Sequence, residues 1–172
     1  MKKSFRSVRA IALVGVLAAT LECAKLILAF LPNVEVVTLL CALYGYVFGP
    51  IGVAATVIFV CIEPLIWGFN LWVISYVLYW PFLAAVFWLL GKLGVRSRVI
   101  LSAVALCMTI WFGVLDSLVN VGLFSGAFTR FWERFAIYYL RGVGFYVAQL
   151  VTNAVVFPLL FRPLAQRLER MR

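Results

Sequence analysis

The stretch AFLPNVEVVTLLCALYGYVFGP, residues 29–50, decides how this chain is read. It runs from the end of one apolar segment into the start of another. At its centre Pro32-Asn33 and Glu35 place a helix-stopping proline and a carboxylate between the two. A residue preceding proline is biased away from helix, so Leu31-Pro32 ends one segment and Gly49-Pro50 ends the next. Working outward, the pattern repeats: long apolar runs separated by short breaks, with no period-two alternation of the kind a membrane barrel strand would carry.

Of the 172 residues 66% are apolar and 12% charged, too few to give a soluble domain a polar skin. Apolar runs of about 18 residues or more read as membrane-crossing helices, since roughly 20 residues at 1.5 Å each cross the hydrocarbon. Lipid leaves no partner for open backbone groups, so helices are the form expected. The sequence therefore predicts an all-α, polytopic membrane protein, one domain over residues 1–172. Its six helices are expected at about 8–31, 34–49, 50–67, 71–91, 98–122 and 132–161. The basic start MKKSFRSVRA leads into an apolar run too long for the core of a signal peptide, and a retained first helix is the expectation.

The net charge of +9 sits mainly at segment ends, where it orients a membrane protein and does not point to nucleic acid. Lys2, Lys3, Arg6 and Arg9 precede helix 1; Lys92, Arg96 and Arg98 lie between helices 4 and 5; Arg162, Arg167, Arg170 and Arg172 follow helix 6. Six crossings put all three clusters on one side, cytoplasmic by the positive-inside rule, with both termini inside. Cys23, Cys41, Cys61 and Cys107 lie inside apolar runs without CxxC spacing and read as small packing residues. The chain has no histidine, no P-loop, no HExxH and no GxSxG, so neither an enzyme nor a metal or other cofactor is called for.

A charge at the centre of a membrane helix costs ~2.5–3.5 kcal/mol or more, so each needs a partner or a wet cavity. Glu22, Lys25, Glu35, Glu63, Asp116 and Arg141 all fall in the middle or outer half of their segments. Thr109, Gly113, Asp116 and Asn120 form one stripe on helix 5. Tyr138, Arg141, Gly142, Phe145, Gln149 and Thr152 share an arc of helix 6, with Asn153 beside it. Asn70, Trp72, Tyr76, Tyr79 and Trp80 crowd the start of helix 4. A cavity lined by aromatic faces and a few polar groups suits a small organic ligand. The candidate contacts are Asn33, Glu35, Glu63, Asn70, Trp72, Tyr76, Asp116, Asn120, Tyr138, Arg141 and Gln149.

Plainer readings stand beside these. Glu22 and Lys25, i and i+3, can neutralise each other; Trp72, Tyr79 and Trp80 suit an interfacial aromatic belt; Gly113 suits close packing; Asp116 and Arg141 suit a structural ion pair. Glu35 at the start of helix 2 serves either as a helix-end charge or as a ligand contact. On helix 1, Gly15 and Ala19 form a small-xxx-small pair that admits a neighbouring helix, within the bundle or from a partner.

The segments AFLPNVEVVTLLCALYGYVFG (29–49), EPLIWGFNLWVISYVLYWP (63–81) and VTNAVVFPLLFRPL (151–164) resemble the substrate-binding S component of energy-coupling factor (ECF) transporters, and the likeness runs over essentially the whole chain. PNVE and NLWVISYVLYWP point within it toward a cobalamin-associated branch. The resemblance implies a multi-pass subunit of a prokaryotic cell membrane that captures a vitamin or precursor on the outer side. It works with a membrane-embedded coupling subunit and two ATPase subunits, and topples in the bilayer to release its cargo. It implies that the loop between helices 1 and 2 covers the site, and that Gly15 and Ala19 stand where the family carries an AxxxA contact with the coupling subunit. A self-sufficient homodimeric transporter, or an intramembrane enzyme or assembly factor, is the alternative.

Overall fold

The computed structural model describes residues 8–31, 34–124 and 129–171. Lys2, Lys3, Arg6, Pro32, Asn33 and Arg172 lie outside the described residues, so the expectations attached to them are not placed. The described chain is all-helical: α1 (Val8–Leu28), α2 (Val37–Phe48), α3 (Pro50–Trp67), α4 (Trp72–Lys92), α5 (Arg98–Phe124), α6 (Phe131–Val156) and α7 (Arg162–Met171). A five-residue π turn, Phe157–Phe161, joins the last two. Five helical stretches are long and apolar enough to cross a membrane, the α6–α7 stretch counted as one; α2 is apolar but shorter.

α2 is the hub. Its sequence VTLLCALYGYVF is apolar around its whole circumference, and nearly every residue is buried, Val37 through Gly45 with the single exception of Leu40. A helix without a polar face has to be wrapped by others. It packs against α4 so closely that a Cβ on Gly45 would lie 2.0 Å from the Ala84 carbonyl oxygen. Gly49, at φ +61°, turns the chain directly into α3 with Pro50 at its first position. Tyr44 and Thr20 share a 2.7 Å hydrogen bond that fixes α1 on α2. Thr20 already donates to the Leu17 carbonyl, so the tyrosine hydroxyl is the donor.

The core continues through α4 and the end of α6. Phe87, Phe157 and Phe161 form one cluster with ring centroids 5.4–5.9 Å apart. Tyr79 and Trp80 are buried in this core against Phe112 and Phe59, which removes them from an interfacial belt. Tyr46 Oη donates to the Val95 carbonyl at 2.9 Å and anchors the α4–α5 connection. Of the cysteines, only Cys41 packs inside; Cys23, Cys61 and Cys107 are exposed, so the small-packing reading fails for three of the four.

Helix 1 ends at Leu28, not 31, helix 5 runs on to Phe124, and two further boundaries differ from the sequence expectation for a visible reason. Helix 2 starts at Val37, not 34, because Glu35 leaves the helix to bond elsewhere. Helix 6 does not stop at 161. Pro158 has no N–H to donate, and the π turn absorbs the gap, so that helix resumes and carries Arg162, Arg167 and Arg170 on α7.

Candidate functional site

The end of the bundle that carries the α1–α2 and α3–α4 connections contains a cavity of about 450 Å³. Lys25 and Leu28 at the end of α1, with Ala29 and Leu31 just beyond it, form one side, and Val34, Glu35 and the first residue of α2, Val37, continue it. Phe59 and Trp67 come from α3, Trp72 and Tyr76 from α4, Phe112 from α5 and Gln149 from α6. Two polar constellations define it.

The first is built on Glu35. Its Oε2 accepts the backbone N–H of Thr38 at 2.8 Å, which satisfies one of the open donors of the α2 N-terminus. Its Oε1 accepts the Thr38 hydroxyl, Gln149 Nε2 at 3.2 Å and Asn153 Nδ2 at 3.3 Å. Asn153 also donates to Thr109 Oγ1 at 3.0 Å, so the network reaches α5. Glu35 thus caps α2 and ties the α1–α2 connection to α6 across 114 residues of sequence. Both roles that the sequence left open concern one carboxylate: it caps a helix and it lines the cavity.

The second is built on Lys25. Its ammonium pairs with Glu63, whose side chain is 0% exposed against 23% for the lysine. The same nitrogen lies 5.0 Å from the Tyr76 ring centroid, 5.4 Å from Trp67 and 5.6 Å from Trp72. At these distances the ring faces attract the cation, by ~0.5–2 kcal/mol each according to how dry the site is. The expected Glu22–Lys25 neutralisation does not form. The lysine reaches across to α3, and Glu22, 8% exposed, stays beside the pair with its carboxyl against that of Glu63.

The remaining candidates lie elsewhere. Asp116 accepts Ser75 Oγ at 2.9 Å and Asn120 Nδ2 at 3.1 Å, a bridge from α5 to α4. No ion pair joins Asp116 and Arg141. Arg141 is exposed and lines a second cavity of about 370 Å³ with Asn70, Asn120 and Tyr138. The candidate residues therefore divide. Glu35, Trp72, Tyr76 and Gln149 meet at the first cavity with Glu63 behind it; Asn70, Asn120, Tyr138 and Arg141 meet at the second. Gly113 packs under the Tyr146 ring, as close packing requires. Gly15 and Ala19 lie on the exposed face of α1, and a Cβ on Gly15 would meet nothing within 4 Å.

Sequence reading missed Trp67, Phe112, Ser75 and Thr38 as site-forming residues. Only Trp67 carried a signal, as an aromatic three residues before Asn70 at the same membrane end. Lys25 was seen as a buried charge, but its partner lies 38 residues away. No family model, curated protein or solved structure matches this chain.

Proposed function

We propose that this chain is the substrate-capture subunit of an ECF-type, ATP-driven importer for a vitamin or cofactor precursor, in the cell membrane of a prokaryote. The observation that carries the reading is the cavity beside the α1–α2 connection, closed by the Glu35 hydrogen bonds and bearing one ammonium among aromatic faces. A pocket of this size and lining suits a single small molecule. A cobalamin-related cargo rests on the sequence resemblance alone.

In this reading the chain crosses six times with both termini cytoplasmic. Arg96, Arg162 and Arg170 line one shared hollow at the α7 end, so two of the basic clusters gather there, as a cytoplasmic face would have them. The opposite end carries Arg130 and Arg134 around Glu133. The chain itself is not an enzyme in this reading; the ATPase subunits supply the energy through a membrane coupling subunit. That subunit docks on the bare small-residue face of α1, where Gly15 and Ala19 leave room for another helix. An apolar hollow between α1 and α3, lined by Ile11, Val14 and Ala54, lies alongside.

The test is uptake by cells expressing the chain with and without an ECF coupling module. Uptake is expected only with the module. Full-rate uptake by the chain alone would establish the self-sufficient transporter instead. Gly15→Leu and Ala19→Leu, both on an exposed face, are expected to leave folding and ligand binding intact while complex formation and uptake fall at least tenfold. Uptake unchanged in both variants would remove α1 as the docking face.

A further inference from the structure

The open bonding capacity of the first cavity names the class of its ligand, on the reading of that cavity as the capture site. A carboxylate has about four acceptor positions. Glu35 takes the Thr38 hydroxyl, Gln149 and Asn153 on Oε1 and the Thr38 N–H on Oε2, so a single position on Oε2 is left for a ligand. Lys25 is the opposite case. Its ammonium has three N–H donors, Glu63 is its hydrogen-bond acceptor, three ring faces surround it, and Glu22 lies beside the pair. The cavity wall thus offers a charged donor with two N–H groups unused and a carboxylate with one acceptor position open.

An organic cation meets a second obstacle. The place for an ammonium, between a buried carboxylate and three aromatic faces, is already taken by Lys25. That ammonium is tethered to the wall, so a free cation has to compete with a group at high effective concentration. Glu63 and Glu22 do not line the cavity, whereas Lys25 does. The carboxylates behind it keep the lysine in place, and the surface presented to the cavity is the ammonium. Trp72, Tyr76 and Phe112 supply flat faces beside it. The volume of about 450 Å³ lies in the lower half of the usual range for small-molecule pockets, roughly 300–1,000 Å³.

We propose that the cavity takes a flat-ringed carboxylate, with its anionic group on Lys25 Nζ and its ring among Trp72, Tyr76 and Phe112. The probes are a ring-matched set of 2-naphthoate, 2-naphthamide and 2-naphthylmethylamine, titrated by calorimetry into the purified full chain. The naphthoate is expected to bind at least tenfold more tightly than the amine, with the amide between them. Lys25→Met is expected to abolish that order, and Lys25→Arg to restore part of it. Because Lys25→Met strands Glu63, the Lys25→Met/Glu63→Gln double variant, which removes both charges together, serves as the folded control and is expected to lose the naphthoate preference equally. An amine that binds as tightly as the acid, or a preference that survives in the double variant, overturns the carboxylate class and leaves the capture role standing. If none of the three binds, the cavity is not a ring-compound site and the proposal falls; transport dependent on the coupling module is read separately, by uptake.

Discussion

Glu35 sits in the segment that joins two helices, yet four donors from α2 and α6 converge on it. Removing the acceptor leaves the buried Gln149 amide without this partner and the buried Asn153 amide with Thr109 alone. A buried group stranded in this way costs about 1–3 kcal/mol. Glu35→Ala is therefore expected to lower the melting temperature in detergent, and Glu35→Gln, which keeps one acceptor oxygen, to lower it less. Equal melting of both variants and the parent would show that the network does not hold the connection down. Half of this residue's role was legible: a carboxylate near a helix N-terminus is a capping group by its charge alone. The other half was not, because only the packing of α6 on α2 brings Gln149 and Asn153 within reach. Lys25 shows the same limit. Spacing offered Glu22, three residues away, but burial rewards the partner that the facing helix supplies, and that is Glu63.

At the scale of elements, the close approach of α2 and α4 rests on a missing side chain. Gly45→Ala would drive a methyl to 2.0 Å from the Ala84 carbonyl oxygen, backbone that cannot swing aside. Overpacking of this kind costs about 1–3 kcal/mol or more. The variant is expected to melt well below the parent, whereas Gly15→Ala, with open space around it, is expected to melt with the parent. A Gly45→Ala protein of parental stability would mean that the two helices separate at little cost. Most of the helices could be read from apolar runs and the proline and glycine breaks between them. The continuation of α6 through Phe157–Phe161 could not, because Pro158 signals a stop and the π turn that rescues it has no sequence mark. The sequence showed α2 only as a weak span, and the structure has it both short and buried on nearly all sides.

For the whole molecule, an all-helical apolar bundle was evident from composition alone, but the sorting of polar residues was not. Depth along the helices grouped Arg141 with Glu35; rotation about the helix axes put them in separate cavities. The proposed orientation is checked with single cysteines in a cysteine-free background. Arg96→Cys at the α7 end is expected to resist a membrane-impermeant maleimide in intact cells, and Trp132→Cys at the opposite end to react. Reversed labelling would invert the chain in the membrane and put the cavity on the wrong side for capture. The shortness of α2 has a consequence for such a bundle. Twelve residues rise about 18 Å, against a hydrocarbon thickness of about 30 Å. The cavity lies at the N-terminus of this helix, with Val37 in its wall, so in the proposed orientation water filling it would reach below the level of the headgroups. An aqueous well shares the electrical potential of the solution that fills it, and the transmembrane voltage then falls across the packed helices beneath. In the proposed orientation a charged cargo bound there would have crossed almost none of the membrane field, so its electrical work, about 2.3 kcal/mol per charge per 100 mV, would still be to be done when it is carried across.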